Sequence, residues 1–351
     1  MKLLQADAER EIITILKEEQ LWDDESLWLP FGDNENNYSA IGNQQGNAVS
    51  ALVEKLVNSI DAVLMRECLV RGVDPTSSRA PRSIEEALEL YFNIEYGNLA
   101  NVHSSQRTEL AKNIGLVATG AKRREDSSPS LTIFDLGEGQ TPKRMPDTLL
   151  SLSKSNKLKI PFVQGKFNMG GTGVLPFCGK ENLQLIISKR HPQIPSAGDP
   201  TAKMWGFTLV RRQEPRHGRR SSMYTYLAPN KQILSFDRHG IQLPDVGHGT
   251  QELPELTWGT IIKLYEYELS TLGTIITNNL LRSVSVSLVK PGLPIRFFEK
   301  RYGGGGHSSE GNMHGLYVRL EDSRKDIFEP GFPISFDLRI RGENMKASIY
   351  A

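Results

Sequence analysis

Cysteine is nearly absent: Cys68 and Cys178 are the only two among 351 residues. Two thiols build neither a disulfide framework nor a Cys-rich metal site. They are expected as small buried apolar groups in a reducing compartment. No apolar run approaches the roughly 18 residues of a membrane span. Met1 to Arg10 mixes Lys2, Asp7, Glu9 and Arg10, so it lacks the basic start and apolar centre of a signal peptide. An excess of one charge is missing too. Lys and Arg number 42 against 41 Asp and Glu, a formal charge of +1. That excludes an extended cationic coat for nucleic acid and leaves only local patches. Together these absences predict a soluble cytoplasmic chain with no membrane partner. The Gly-x-x-x-x-Gly-Lys-Ser/Thr loop is also lacking, since Gly179-Lys180 runs into Glu181. Gly-x-Gly-x-x-Gly fails after Gly171-Thr172-Gly173, where Pro176 stands in the last position. There is no internal repeat. A chain of this length buries one large core or two modest ones.

What is present begins with Glu54-Lys55-Leu56-Val57-Asn58-Ser59-Ile60-Asp61-Ala62. Glu54, Asn58 and Asp61 stand at i, i+4 and i+7, one face of a helix. Leu56, Val57 and Ile60 can turn to a core. An Asn oxygen can hold a hard cation and a Glu can poise a water. The same spacing also suits the polar face of an ordinary amphipathic helix. Further on, Leu131 to Phe134 reads as a short buried strand running into Asp135-Leu136-Gly137-Glu138-Gly139-Gln140. Glycines at alternate positions there make a tight turn that a flat ligand can approach closely. Gly165 to Gly173 carries glycines at 165, 170, 171 and 173 and leads into Val174-Leu175-Pro176-Phe177. Glycines before a helix start leave backbone N–H groups free for phosphate. Finally, Trp258-Gly259-Thr260 opens a strand-like alternation.

In that order the four segments resemble the boxes of the GHKL (Bergerat-fold) ATPases, a superfamily that includes gyrase, Hsp90, histidine kinases, MutL and MORC proteins. The resemblance covers about residues 40 to 300. It implies an α/β fold: a Bergerat-fold two-layer sandwich, a mixed and mainly antiparallel sheet with helices on one face. This ATP-binding domain would span 1–300, followed by a linker and a short C-terminal β-rich extension over 301–351. The implied ligands are ATP and Mg2+. Glu54 is the implied general base and Asn58 the implied Mg2+ ligand. Asp61 would stand behind that ligand or reach the nucleotide through water. Asp135 would accept from the adenine N6 amine, which favours adenine over guanine. Gly137 and Gly139 shape its turn, and Thr260 would support Asp135 and a water. Gly170, Gly171 and Gly173 would wrap the phosphates, with N–H groups of Thr172 and Val174. Lys166 and Lys154 are candidate phosphate contacts, although Lys154 reads better as a solvated lysine.

The resemblance further implies slow Mg2+-dependent hydrolysis, with ATP closing a lid over 141–164 and pairing two subunits. The Glu54 box is closest to MutL and MORC style, with the Hsp90 lineage next. No phosphoacceptor His with paired helices precedes it, which argues against a histidine kinase. A DNA-related process is therefore the first expectation. An Hsp90-like chaperone ATPase and a nucleotide-gated binding module without hydrolysis are the alternatives. Relatives draw a γ-phosphate lysine from a second domain, so this chain is expected to be a piece of a longer protein or to be completed by a partner.

Periodicity predicts helices over 6–19, 47–71, 83–93, 104–117 and 274–288, and a loop over 31–46. Strands are expected at 183–188, 205–210, 223–227 and 260–265, with an edge strand at 294–298. After a glycine-rich break at 302–309, further strands are expected at 316–320, 334–341 and 346–350. The interval of about 72–130 reads as an insertion that pads the surface. Arg211-Arg212, Arg216-His217 and Arg219-Arg220 form a basic hairpin loop, and Lys122-Arg123-Arg124 a second cluster. Such loops can grip DNA phosphates, though charge runs are more often solvated.

Overall fold

A computed structural model describes residues 1–120, 128–152, 157–165, 170–215, 221–244, 253–269, 276–301, 309–323 and 329–350. The first half comprises α1 (Lys2–Gln5), α2 (Glu9–Glu18), β1 (Trp28–Pro30), α3 (Asn37–Gly42), α4 (Ala48–Val70), α5 (Ile84–Phe92), α6 (Ser104–Ala111), β2 (Ile114–Thr119) and β3 (Ser130–Asp135). Next come β4 (Gln184–Lys189), β5 (Trp205–Gln213), β6 (Met223–Leu227), β7 (Leu234–Phe236), β8 (Ile241–Gln242), β9 (Glu255–Leu256) and β10 (Gly259–Leu264). The remainder is α7 (Leu281–Ser287), β11 (Ile295–Glu299), β12 (Ser309–Met313), α8 (Leu316–Asp322), β13 (Ile334–Ile340) and β14 (Glu343–Ile349). The architecture is mixed α/β. One ten-stranded sheet runs β1-β6-β5-β4-β10-β3-β2-β11-β12, with β7 added on β5. Its described pairings are antiparallel except β11 along β2.

Alternation along the central strands sends side chains to two cores. Leu116, Ala118, Leu131, Ile133 and Phe297 join Leu52, Leu56, Ile60 and Val63 of α4, together with Leu88 of α5 and Val284 of α7. Val117, Phe134, Ile261 and Phe298 point the other way and meet Leu4, Ile12 and Leu16. Helices therefore cover both faces of the sheet, not one face alone as the resemblance implied. The short N-terminal pair covers the second face, where Val117, Phe134 and Ile261 present apolar side chains to Leu4, Ile12 and Leu16. A third cluster, with Ile41, Met145, Leu150, Ile186 and Tyr224, sits at the β4-β5-β6 end. Cys68 and Cys178 are both buried free thiols, as expected. Among the described residues no helix is long and apolar enough to cross a membrane.

Helix α4 has the bounds its sequence signals. The Asn47 side chain caps it by accepting from Val49 and Ser50 N–H at 2.8 and 3.2 Å. Gly72, at φ +68°, turns the chain just beyond its last residues. Elsewhere the expectations fail in instructive ways. The helix expected over 104–117 stops at Ala111, and 114–119 becomes β2, buried at every position between β3 and β11. A six-residue apolar run has no period that separates strand from helix. The interval 72–130 thus supplies an internal strand rather than padding. The segment 294–298 is no edge, since β11 lies between β2 and β12. Residues 316–320 form a helix, with Val318 in the α4 core. The main sheet continues past residue 300 through β12, whereas β13 and β14 pair only with each other.

Two polar locks hold the periphery. Buried Lys263 on β10 donates to Leu4 O at 2.8 Å and to Asp7 at 2.7 Å, fixing the N-terminal helices. Asn37 donates to Phe31 O and Tyr224 O at 3.0 and 2.8 Å, and accepts from Tyr224 N–H at 2.8 Å. Its carboxamide continues the ladder where three-residue β1 ends. Asn37→Ala strands those buried groups, and urea unfolding is expected to show a loss of about 3 kcal/mol. A loss within about 0.5 kcal/mol, the range of an ordinary surface substitution, would mean that water replaces the clamp.

Candidate functional site

The turn after β3 is clamped to α4. Glu138 N–H donates to Ala62 O at 3.0 Å, and Arg66 reaches the Leu136 carbonyl. A Cβ on Gly137 would lie 2.5 Å from the Ala62 methyl, so only glycine permits this approach. Gly139 sits at φ +59°, where any side chain would run into the Lys189 carbonyl. These contacts put Asp135 against the face of α4 that carries Asn58, Ser59 and Ala62. The result is a cavity of ≈ 420 Å³ on the α4 side of the sheet, lined among others by Lys55, Asn58, Asp135, Gly139, Gly171 and Thr260. Met65, Ile160 and Ile262 give it an apolar wall.

Asp135 is buried, and its Oδ1 accepts from Gly137 N–H at 3.0 Å. Burial pushes its pKa up to about 7, against the smaller opposing pull of the Gly137 and Ser59 hydrogen bonds. Thr260 stands opposite Asp135 on β10 and opposite Ser188 on β4. The two hydroxyls lie 3.0 Å apart, and Ser188 Oγ also accepts from Gln140 N–H at 2.9 Å. One end of the cavity is thus a carboxylate and a hydroxyl, backed by a closed network that fixes their directions.

The other end is built by α4 and the glycine-rich segment. Gly170–Thr172 is a single 3-10 turn, and Leu175–Phe177 is another. The expected α-helix start is not formed, so any anion here meets turn amides rather than a helix terminus. A Cβ on Gly171 would lie 3.3 Å from Asn58 Nδ2 and 3.7 Å from Lys55 Nζ. Gly173 and Val174 are buried, and the Val174 side chain belongs to the α4 core. Thr172 Oγ1 donates to Gln44 Oε1 at 2.9 Å. The next residue, Gln45, donates to Glu54 Oε1 at 2.7 Å. Among the described residues Glu54 Oε2 is buried without a hydrogen-bond partner, and burial raises this carboxyl's pKa. Glu54 is not among the residues lining the cavity, although Lys55 and Asn58 are.

Asp61 is used differently from the expectation. It is fully buried and accepts from Gln164 N–H at 2.9 Å and Gly165 N–H at 2.8 Å, with Lys157 Nζ at 3.5 Å. It tethers the 157–165 segment rather than facing the cavity. Gly165 is pressed on Asn58 Oδ1 so closely that no Cβ fits. Much of the expected lid is also core, since Met145 and Leu150 are buried in the third cluster.

Lys166 and Lys154 lie outside the described residues, as do Arg216, His217, Arg219, Arg220 and the Lys122-Arg123-Arg124 cluster. Arg211 is buried, donates to Trp22 O at 2.7 Å and stacks on Trp22 and Trp28 at 4.4 and 3.8 Å. Arg212 pairs with Glu214 at 2.7 Å. Neither is a loose surface cation, contrary to the expected basic loop. Sequence reading overlooked Lys55, Ser59, Gln44 and Gln45. Ser59 and Lys55 were legible as neighbours of Asn58, but only the helix's docking angle shows that they face the cavity. Among the described residues no cluster of three or more His, Cys, Asp or Glu could hold a metal. A Mg2+ ion fits only as a shared ligand, with Asn58 Oδ1 as one oxygen and a bound anion and water as the rest.

Because Asp135 holds its proton more tightly in the folded chain than at its ordinary value of 3.8, its contribution to stability is full below that value. It is lost as pH rises through about 7. Asp135→Asn keeps an acceptor but cannot ionise. Relative to this variant, wild type is expected to lose about 2–3 kcal/mol between pH 5 and 8. Parallel denaturant titrations check this, and identical pH slopes would contradict a buried, proton-holding Asp135.

No protein-family model matches this chain, and no curated protein sequence matches it.

Proposed function

We propose that the chain binds Mg2+–ATP in the α4–β3 cavity and hydrolyses it slowly, as a GHKL-type ATPase with a Bergerat-like nucleotide domain. The observation that supports this reading is convergence. Asn58, Asp135 with Gly139, Gly171 and Thr260 come from four separated segments and line one cavity. Its chemistry is graded, with an acceptor at one end and a cation and turn amides at the other. Asp135 accepts from the adenine N6 amine, and a guanine O6 there would face an acceptor. Met65, Ile160 and Ile262 offer the apolar faces a base needs. Asn58 Oδ1 supplies the protein oxygen for Mg2+, which when bound neutralises phosphate charge. Glu54 orients a water and takes its proton as the water oxygen bonds to the γ-phosphorus and the bond to the β–γ bridging oxygen breaks. Its partnerless, buried Oε2 is the atom suited to that proton.

One observation favours a second reading, a nucleotide-gated binding module without hydrolysis. Glu54 is held by Gln45 and stands off the cavity wall. Phosphate release with and without Mg2+ separates the two. The same fork sets the partner class. Arg211 and Arg212 are engaged internally, so the DNA-related role rests on motif style alone.

Glu54→Ala is expected to keep ATP affinity and lose about 10²–10⁴-fold in turnover. Asp135→Ala is expected to lose at least about tenfold in ATP affinity by calorimetry, and Asp135→Asn less, since its oxygen can rotate inward. Wild-type turnover in Glu54→Ala removes the assigned base. Unchanged ATP affinity in Asp135→Ala removes the adenine pocket.

A further inference from the structure

Lys55 is the unexplained charge of this molecule. It lies at the second position of the Glu54 segment, inside α4, and is 8 % exposed. Among the described residues it makes no hydrogen bond and no ion pair, while Lys157 beside it is engaged by Asp61. The titratable group that bears on it is the Cys178 thiol, kept neutral by burial. With no acid to hold its proton, desolvation lowers the Lys55 ammonium to about 8. A buried ammonium without a counter-charge is costly, and none of the described residues offsets it. Yet it opens into the cavity, beside Asn58 and under the Gly171 turn.

Position along α4 says what it faces. The turn docks at Ala62 and the Asp135 carboxyl is held by Ser59, so with a helix rise of ~1.5 Å per residue Lys55 stands about 6 Å along α4 from the Asp135 contact, beyond Asn58. A ligand whose base meets Asp135 extends its phosphates past Asn58 and ends at Lys55. We propose that Lys55 is the terminal-phosphate ligand of this cavity. Its ammonium takes the γ-phosphate oxygens of ATP from within the nucleotide-binding unit itself. This inference rests on the nucleotide reading above and adds to it that no second unit is needed to sense the γ-phosphate.

The test is Lys55→Met, which keeps the aliphatic stem and removes the charge. Adenosine, ADP and ATP are titrated calorimetrically into wild type and variant with Mg2+, and ligand-free melting is recorded. The proposal expects adenosine affinity within about twofold, ATP affinity lower by about 10–100-fold and ADP in between. It also expects an unchanged or raised melting temperature, since an uncompensated charge is gone. If ATP weakens no more than adenosine, Lys55 does not hold the terminal phosphate. If the variant melts well below wild type, the lysine is a packing residue and the proposal falls. If wild type binds neither adenosine nor ATP, the nucleotide reading itself fails and Lys55 loses its ligand with it. Adenosine binding that survives in both proteins keeps the two failures apart.

Discussion

The contact between Gly137 and Ala62 sets the geometry of everything functional in this chain. The Glu138 N–H to Ala62 carbonyl bond closes only because no Cβ stands between the turn and the helix. That approach fixes how far α4 stands from β3 and which of its faces looks along the sheet. Leu56, Ile60 and Val63 then point to the core, while Lys55, Asn58 and Ser59 border the cavity. A methyl at 137 would lift the turn, separate Asp135 from the helix, and open the seam between the α4 core and the β4-β5-β6 core. The cavity is thus a product of backbone approach, and its polar groups are placed by it.

Once placed, those groups are left in tension with their surroundings. Asp135 is driven toward its protonated form, and among the described residues Lys55 has no counter-charge and Glu54 keeps one oxygen unsatisfied. Asp61, six residues further along α4, does not neutralise Lys55. Instead its oxygens are spent on the Gln164 and Gly165 amides and on Lys157. Buried ionisable groups held apart from one another in one cleft are a pattern of binding sites rather than of cores. An anionic ligand with a hydrogen-bond donor at its far end answers both ends of this cavity at once.

The legible parts of the chain were those written in local chemistry. The α4 bounds follow from Asn47 and Gly72, and the Asp135 turn from its alternate glycines. The strands β4, β5, β6 and β10 followed from alternation between turn residues. What was illegible depends on partners far away in sequence. Arg211 reads as a loop cation until the edge-to-face pair Trp22 and Trp28 packs against its guanidinium. Ile114–Thr119 reads as the end of a helix until β3 and β11 claim both its edges. Lys55 carries no signal of its own in the sequence, since lysine is usually exposed. Only the docking of α4 buries it.

The two adjacent glutamines show how such a site is held together without rigid secondary structure. Gln44 accepts from Thr172 in the glycine-rich turn, and Gln45 donates to Glu54 on α4. One dipeptide therefore joins the turn above the cavity to the carboxylate beside it. Gln44 Nε2 is itself buried and without a partner among the described residues, so the strap is only half satisfied there. A buried polar group left unpaired is costly, so this strap is stabilised by any partner that reaches it. If an anion draws the Gly170–Thr172 turn downward, Thr172 pulls on Gln44, and the next residue is the one that restrains Glu54. Coupling of ligand occupancy to the freedom of the carboxylate needs no longer path than one peptide bond.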